Sequence, residues 1–140
     1  MAEVLIHIDH LEKSFISRNN WSDTWSVRRV GFVKKERIYA LNDISLTIYR
    51  GESLCIVGET GCGKSTLARV VMGLETPTNG QVCYQGQRID RLSDKQRMPY
   101  RKKMQMVFQN PNASLNPRMT VYQMLNEAVS IHHPYFNRHE

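Results

Sequence analysis

The sequence predicts an α/β fold in which a largely antiparallel β region precedes a phosphate-binding strand, loop and helix. Three observations carry that expectation. Gly58-Glu59-Thr60-Gly61-Cys62-Gly63-Lys64-Ser65 has the residue types and spacing of a phosphate-binding loop. Before it, Ser53-Leu54-Cys55-Ile56-Val57 is a nearly continuous apolar run, as expected of a parallel strand buried on both faces. After it, Leu67, Val70, Val71 and Leu74 recur at helical spacing, with Gly73 near the stop and Pro77 beyond.

The loop carries the chemistry. Its glycines let several backbone N–H groups converge on an anion, and the following helix presents its positive dipole end to the same charge. A nucleoside triphosphate with Mg²⁺ is the expected ligand. Lys64 is expected to reach the β- and γ-phosphates, Ser65 to hold Mg²⁺, and the amides from Gly61 to Thr66 to cradle phosphate oxygens. The plainer alternative, a glycine-rich turn that binds nothing, does not require strand, loop and helix in this order.

Elsewhere, Val4-Leu5-Ile6-His7-Ile8 reads as an opening strand and Ile44 to Tyr49 as a period-two strand closing in the turn Arg50-Gly51-Glu52. Residues 17–35 turn polar and basic and read as an insertion. Beyond the loop helix, Thr76 to Gly80 is a turn and Gln81-Val82-Cys83-Tyr84 a short strand. Ser93 is placed to cap a helix to Lys103 kinked at Pro99, Met104 to Phe108 reads as another strand, and Asn110 to Pro117 as a loop. Thr120 begins a final amphipathic segment through Val129, its Val121, Met124, Leu125 and Ala128 stripe read as packing.

Composition excludes several classes. With 140 residues, 41% of them hydrophobic, the chain can bury a core. No apolar stretch approaches the roughly 18 residues that span a bilayer, and the start lacks the features of a secretory signal, so a cytosolic location is expected. Three cysteines without Cys-x-x-Cys spacing indicate neither disulfides nor zinc; Cys55 and Cys83 read as small apolar strand residues, and Cys62 as a loop position turned away from the ligand. His132, His133 and His139 lack a metal-binding arrangement. The net charge of +6 is concentrated at Arg28-Arg29, Lys34-Lys35 and Arg37, and at Arg97, Arg101, Lys102 and Lys103. Without interleaved stacking aromatics these read as solvated surface, and no nucleic acid is expected as a partner.

The loop continues as Thr66-Leu67-Ala68-Arg69, and Met106-Val107-Phe108-Gln109-Asn110-Pro111 precedes Ser114-Leu115-Asn116-Pro117-Arg118. In these residues the sequence resembles the ATP-binding subunits of ABC transporters, in particular the oligopeptide, dipeptide and nickel importer branch. The resemblance implies a P-loop NTPase of the ABC ATPase type: an antiparallel β-subdomain and the start of a parallel-sheet core in residues 1–118, then the start of a helical subdomain in 119–140. It implies that Gln109 contacts Mg²⁺ and the attacking water, and that its loop touches a membrane-spanning permease. It implies an upstream aromatic stacked on adenine: Phe15, in Leu-Glu-Lys-Ser-Phe, or Tyr39, just before the second strand. The partners it implies are permease subunits, a second ATP-binding subunit and, indirectly, an extracytoplasmic substrate-binding protein, with the chain peripheral on the cytoplasmic face of the membrane.

No Leu-Ser-Gly-Gly-Gln signature, Walker B strand with catalytic glutamate or switch histidine follows Gln109 within the 140 residues. Leu92-Ser93-Asp94-Lys95-Gln96 imitates the signature but precedes Gln109 and lacks its glycines. The expectation is therefore the first part of such a domain, with hydrolysis near background for these residues alone. The alternatives are a cytosolic ABC-type ATPase acting on nucleic acid or ribosomes, a non-catalytic fragment binding the permease, and a different P-loop enzyme. A GTPase would carry Asn-Lys-x-Asp, which is absent.

Overall fold

The computed structural model describes residues 2–17, 36–110 and 115–132. The insertion expected at 17–35 lies outside them apart from Ser17, the last residue of the first strand; so do His133, His139 and part of the loop after Asn110. The chain divides into two compact units, Met1–Arg97 and Met98–Glu140.

The first unit is built on a four-stranded sheet. Its strands are β1 (Val4–Ser17), β2 (Glu36–Tyr49), β3 (Asn79–Tyr84) and β4 (Gln87–Arg88), in the order β2-β1-β3-β4 with every described pairing antiparallel. β1 and β2 are longer than the apolar patterns suggested, because antiparallel pairing on both sides of β1 satisfies its polar backbone even where the side chains are polar. Gln85 and Gly86, both at positive φ, join β3 to β4 in the two-residue turn whose twist matches an antiparallel hairpin.

Helix α1 (Lys64–Val71) lays Leu67 and Val70 into a core formed with Ile8, Leu11, Leu41, Val82, Tyr84 and Ile89. Beside that core, buried Asp90 accepts hydrogen bonds from the Val82 amide at 2.9 Å and from the Arg88 guanidinium. Burial alone would raise the Asp90 pKa; the Arg88 guanidinium and the backbone amides outweigh it and hold the carboxyl below the usual carboxylate range.

Helix α2 (Asp94–Arg101) is shorter than expected and contains Pro99 without a break. Ser93 precedes it, sharing the Gln96 side-chain carbonyl between its amide and hydroxyl. Arg97, expected on a solvated surface, instead donates to the carbonyls of Gly73 and, at 3.0 Å, Leu92. Helix α3 (Val121–His132), in the second unit, opens with a reciprocal cap: the Thr120 amide donates to Gln123 Oε1, and the Gln123 amide to Thr120 Oγ1. Its Val121, Leu125 and Ala128 are exposed, so the packing expected of that stripe is not met among the described residues.

Two expected strands are absent. Ser53–Val57 and Met104–Phe108 have no regular secondary structure, and Cys55 is accordingly exposed and outside any strand. A strand buried on both faces needs a neighbour along each edge to take up its N–H and C=O groups, and among the described residues neither run is given one.

Candidate nucleotide-binding site

The loop from Gly58 to Thr66 is shaped by backbone conformation rather than side-chain packing. Gly61 and Gly63 adopt φ of 85° and 100°, a left-handed region costly for residues with a Cβ. At Gly63 a second constraint applies: a Cβ there would lie 2.2 Å from the Ala40 carbonyl oxygen and 3.2 Å from Leu41 Cδ2. The opposing strand is irregular at this point. Lys13 pairs with Leu41 and Ser14 with Tyr39, so Ala40 is the extra residue of a β-bulge. The bulge and the glycine together bring loop and strand into close approach.

Gly63 is also the N-cap of α1, supplies no side-chain cap, and no acidic residue occupies the first turn. The first amides of α1 therefore lack a side-chain acceptor at the positive end of the helix dipole. The Lys64 ammonium lies over the loop, donating to the carbonyls of Gly58 at 2.7 Å and Glu59 at 2.6 Å, with Cys62 Sγ at 3.4 Å. These contacts hold the charge beside the amides, and an arriving anion needs the ammonium only to exchange a neutral carbonyl for a stronger, charge-assisted acceptor. Ser65 is exposed at the same turn. Amides and ammonium are donors suited to a polyphosphate anion. Among the described residues no cluster of three His, Cys, Asp or Glu side chains could hold a metal ion on its own.

Phe15 and Tyr39 lie on paired strands but face opposite ways. Phe15 pairs with Ile38 and Ser14 with Tyr39; consecutive strand residues alternate faces, so the two aromatics stand on opposite sides of the β1–β2 ladder. Phe15 shares its face with Lys13, whose partner Leu41 abuts Gly63. Both rings are exposed. Gln109 is an exposed residue of the second unit, whereas the phosphate-loop residues belong to the first.

Two contributors were not singled out from sequence, Ala40 and Lys13. A bulge leaves no mark on the apolar pattern, so nothing pointed to Ala40. The i, i+2 spacing of Lys13 and Phe15 on a strand was the available signal for Lys13.

A sheet packed on a helix that starts at such a loop is the arrangement of a P-loop domain. The chain belongs to the ABC transporter family, which it matches over residues 41–138. It is 39% identical over 138 residues to an oligopeptide transport ATP-binding protein of Haemophilus influenzae, covering 99% of this chain and 40% of that protein. It is 44% identical over 100 residues to a nickel import ATP-binding protein of Shigella flexneri, covering 71% of this chain and 37% of that one. Among solved structures, a dimeric bacterial ABC transporter cassette aligns with a TM-score of 0.73 at 25% identity, over 97% of this chain and 50% of that chain. The chain thus spans about 40% of the length of these curated relatives. No helix among the described residues is long and apolar enough to cross a membrane.

Proposed function

We propose that this chain supplies the phosphate- and adenine-binding part of a subunit that uses ATP hydrolysis to energise import of peptides or nickel. The observation that carries the proposal is the Gly58–Thr66 loop: Gly63 seated against the Ala40 carbonyl, Lys64 held over the loop, and the first amides of α1 without a side-chain acceptor. Lys64 binds the β- and γ-phosphates, the amides of Gly61 to Thr66 take the phosphate oxygens, and the Ser65 hydroxyl holds Mg²⁺. A Mg²⁺ ion held there would supply charge neutralisation for the phosphates. By the family resemblance, Gln109 would serve to hold the metal and orient the attacking water. Phe15 stacks on adenine, a role favoured over Tyr39 by the strand face that Phe15 shares with the Leu41 side of the ladder.

The names of the curated relatives support the importer reading and the choice of cargo. Under it, residues 1–118 form the first part of the nucleotide-binding domain and 119–140 begin its helical subdomain. The subunit pairs with a second ATP-binding subunit and docks on a permease at the cytoplasmic face through the loop after Gln109, with a substrate-binding protein upstream. Residues 1–140 contain neither the signature nor a catalytic glutamate after Gln109, so alone they turn over ATP at background rate.

The test is nucleotide titration of the intact protein. Lys64→Ala is expected to weaken MgATP binding at least tenfold, consistent with loss of a charge-assisted contact of about 1.5–3 kcal/mol. Unchanged affinity would refute the assignment.

A further inference from the structure

The geometry points to Lys13 as a positioning residue for base recognition: its ammonium covers one face of the Phe15 ring and leaves the other for a nucleotide base. The inference rests on the stacking role proposed for Phe15.

Lys13 is not a typical surface lysine. Its side chain is only 13% exposed, and its ammonium is held at three points. It donates to the Thr76 carbonyl at 2.8 Å, pairs with the Glu75 carboxylate at 3.1 Å, and stands 4.9 Å from the centroid of the Phe15 ring. Thr76 and Glu75 follow the helix that begins at the phosphate loop, so the cation is tied to the far end of α1 rather than left to swing. A fixed cation over an aromatic face is an attractive contact, stronger where water is partly excluded.

Phe15 itself is 41% exposed. An unsupported ring on a strand near the end of a sheet would rotate about its side-chain torsions, and each base-binding event would then have to arrest it. With Lys13 against one face, the ring is already oriented, and its 41% exposure leaves surface for a base to meet. A base stacking there meets a ring with less rotational freedom to lose. The cation also withdraws electron density from the ring, which suits stacking on an electron-rich purine. The neighbouring Ser14 is held as well: its amide donates to Thr78 Oγ1 at 2.9 Å, so the backbone between Lys13 and Phe15 is fixed from the same side of the molecule.

The experiment measures dissociation constants in the intact protein for two probes, MgATP and magnesium tripolyphosphate, which carries the phosphates without a base. Lys13→Met, which keeps an apolar stem and removes the charge, is expected to weaken MgATP by about threefold to tenfold and to leave tripolyphosphate unchanged. Lys13→Arg, which keeps a cation able to lie on a ring, is expected to restore MgATP affinity. In a Phe15→Ala background the Lys13→Met effect is expected to vanish, because the two residues act through one contact.

Wild-type MgATP affinity in Lys13→Met, beside a weakened Phe15→Ala, would overturn the Lys13 inference alone. Equal weakening of both probes by Lys13→Met would assign Lys13 a structural role through Glu75 and Thr76, and would also overturn it. Failure of Lys13→Arg to restore binding would contradict a role for the charge. If Phe15→Ala binds MgATP as wild type does, the stacking role fails and the inference with it. Unchanged tripolyphosphate binding in Lys64→Ala would instead sink the phosphate-loop assignment.

Discussion

β1 and the run Ser53–Val57 both carry large apolar side chains that end in opposite circumstances. In β1, Ile8 and Leu11 are 1% and 0% exposed, and the strand pairs with β2 on one side and β3 on the other. Val57, with a comparable side chain, is 84% exposed in a run without a strand partner among the described residues. Apolar content states that a segment gains by burial; neighbours on each edge decide whether its backbone can be buried too. The phosphate loop sits between these cases. It follows the unpaired run, yet its form is set by Gly63 against Ala40 and by α1 on the sheet, both within the well-packed part of the first unit.

The contrast is open to mutation. The largest expected effect is at Leu11: truncation to alanine should cost about 2–5 kcal/mol, as for other fully buried leucines, whereas Val57→Ala should stay within about 0.5 kcal/mol. Denaturant midpoints of the two variants compare the regions directly; equal losses would mean that Ser53–Val57 is packed after all. Next comes Gly63→Ala, which must relieve a 2.2 Å approach to the Ala40 carbonyl at a positive φ. A stability loss of about 1–3 kcal/mol is expected, with a fall in MgATP affinity; a neutral result would show that the loop does not need its contact with the β2 bulge.

Asp90 gives a smaller effect that depends on pH. Its carboxyl titrates lower in the folded than in the unfolded chain, so its stabilisation is complete above the unfolded value of about 4 and is lost as pH falls through the folded value. Asp90→Asn should therefore destabilise the protein by about 1–3 kcal/mol at neutral pH and by less at pH 3. A pH-independent penalty would mean that the Arg88 pairing contributes nothing as a charge. Smallest is Thr120→Ala at the start of α3, expected to lower helix stability by about 1 kcal/mol, seen as faster amide exchange in its first turn.

Much of the fold was legible where local chemistry decides it. Glycine at Gly61 and Gly63, Lys-Ser after them, and the helical spacing of Leu67 and Val70 all specify conformation or burial within a few residues. Thr120 begins its helical segment as the apolar spacing after it suggests. What is not legible locally depends on distant partners. The lengths of β1 and β2 follow from pairing across dozens of residues, and the runs at 53–57 and 104–108 were read as strands from composition without knowing their neighbours. Arg97 looked like part of a solvated basic cluster because its acceptors, carbonyls at Gly73 and Leu92, are main-chain atoms that side-chain chemistry does not reveal. The close approach of Ala40 to Gly63 was invisible for the same reason.

Nucleotide binding at this site depends most on the loop amides. Hydrogen exchange at the amides of Gly61 through Thr66, measured in the intact protein with and without MgATP, tests this most directly. Strong slowing at these positions on adding nucleotide, absent in Lys64→Ala, is the predicted result. Unchanged exchange there, while MgATP is shown to be bound, would place the ligand elsewhere and contradict binding by these amides.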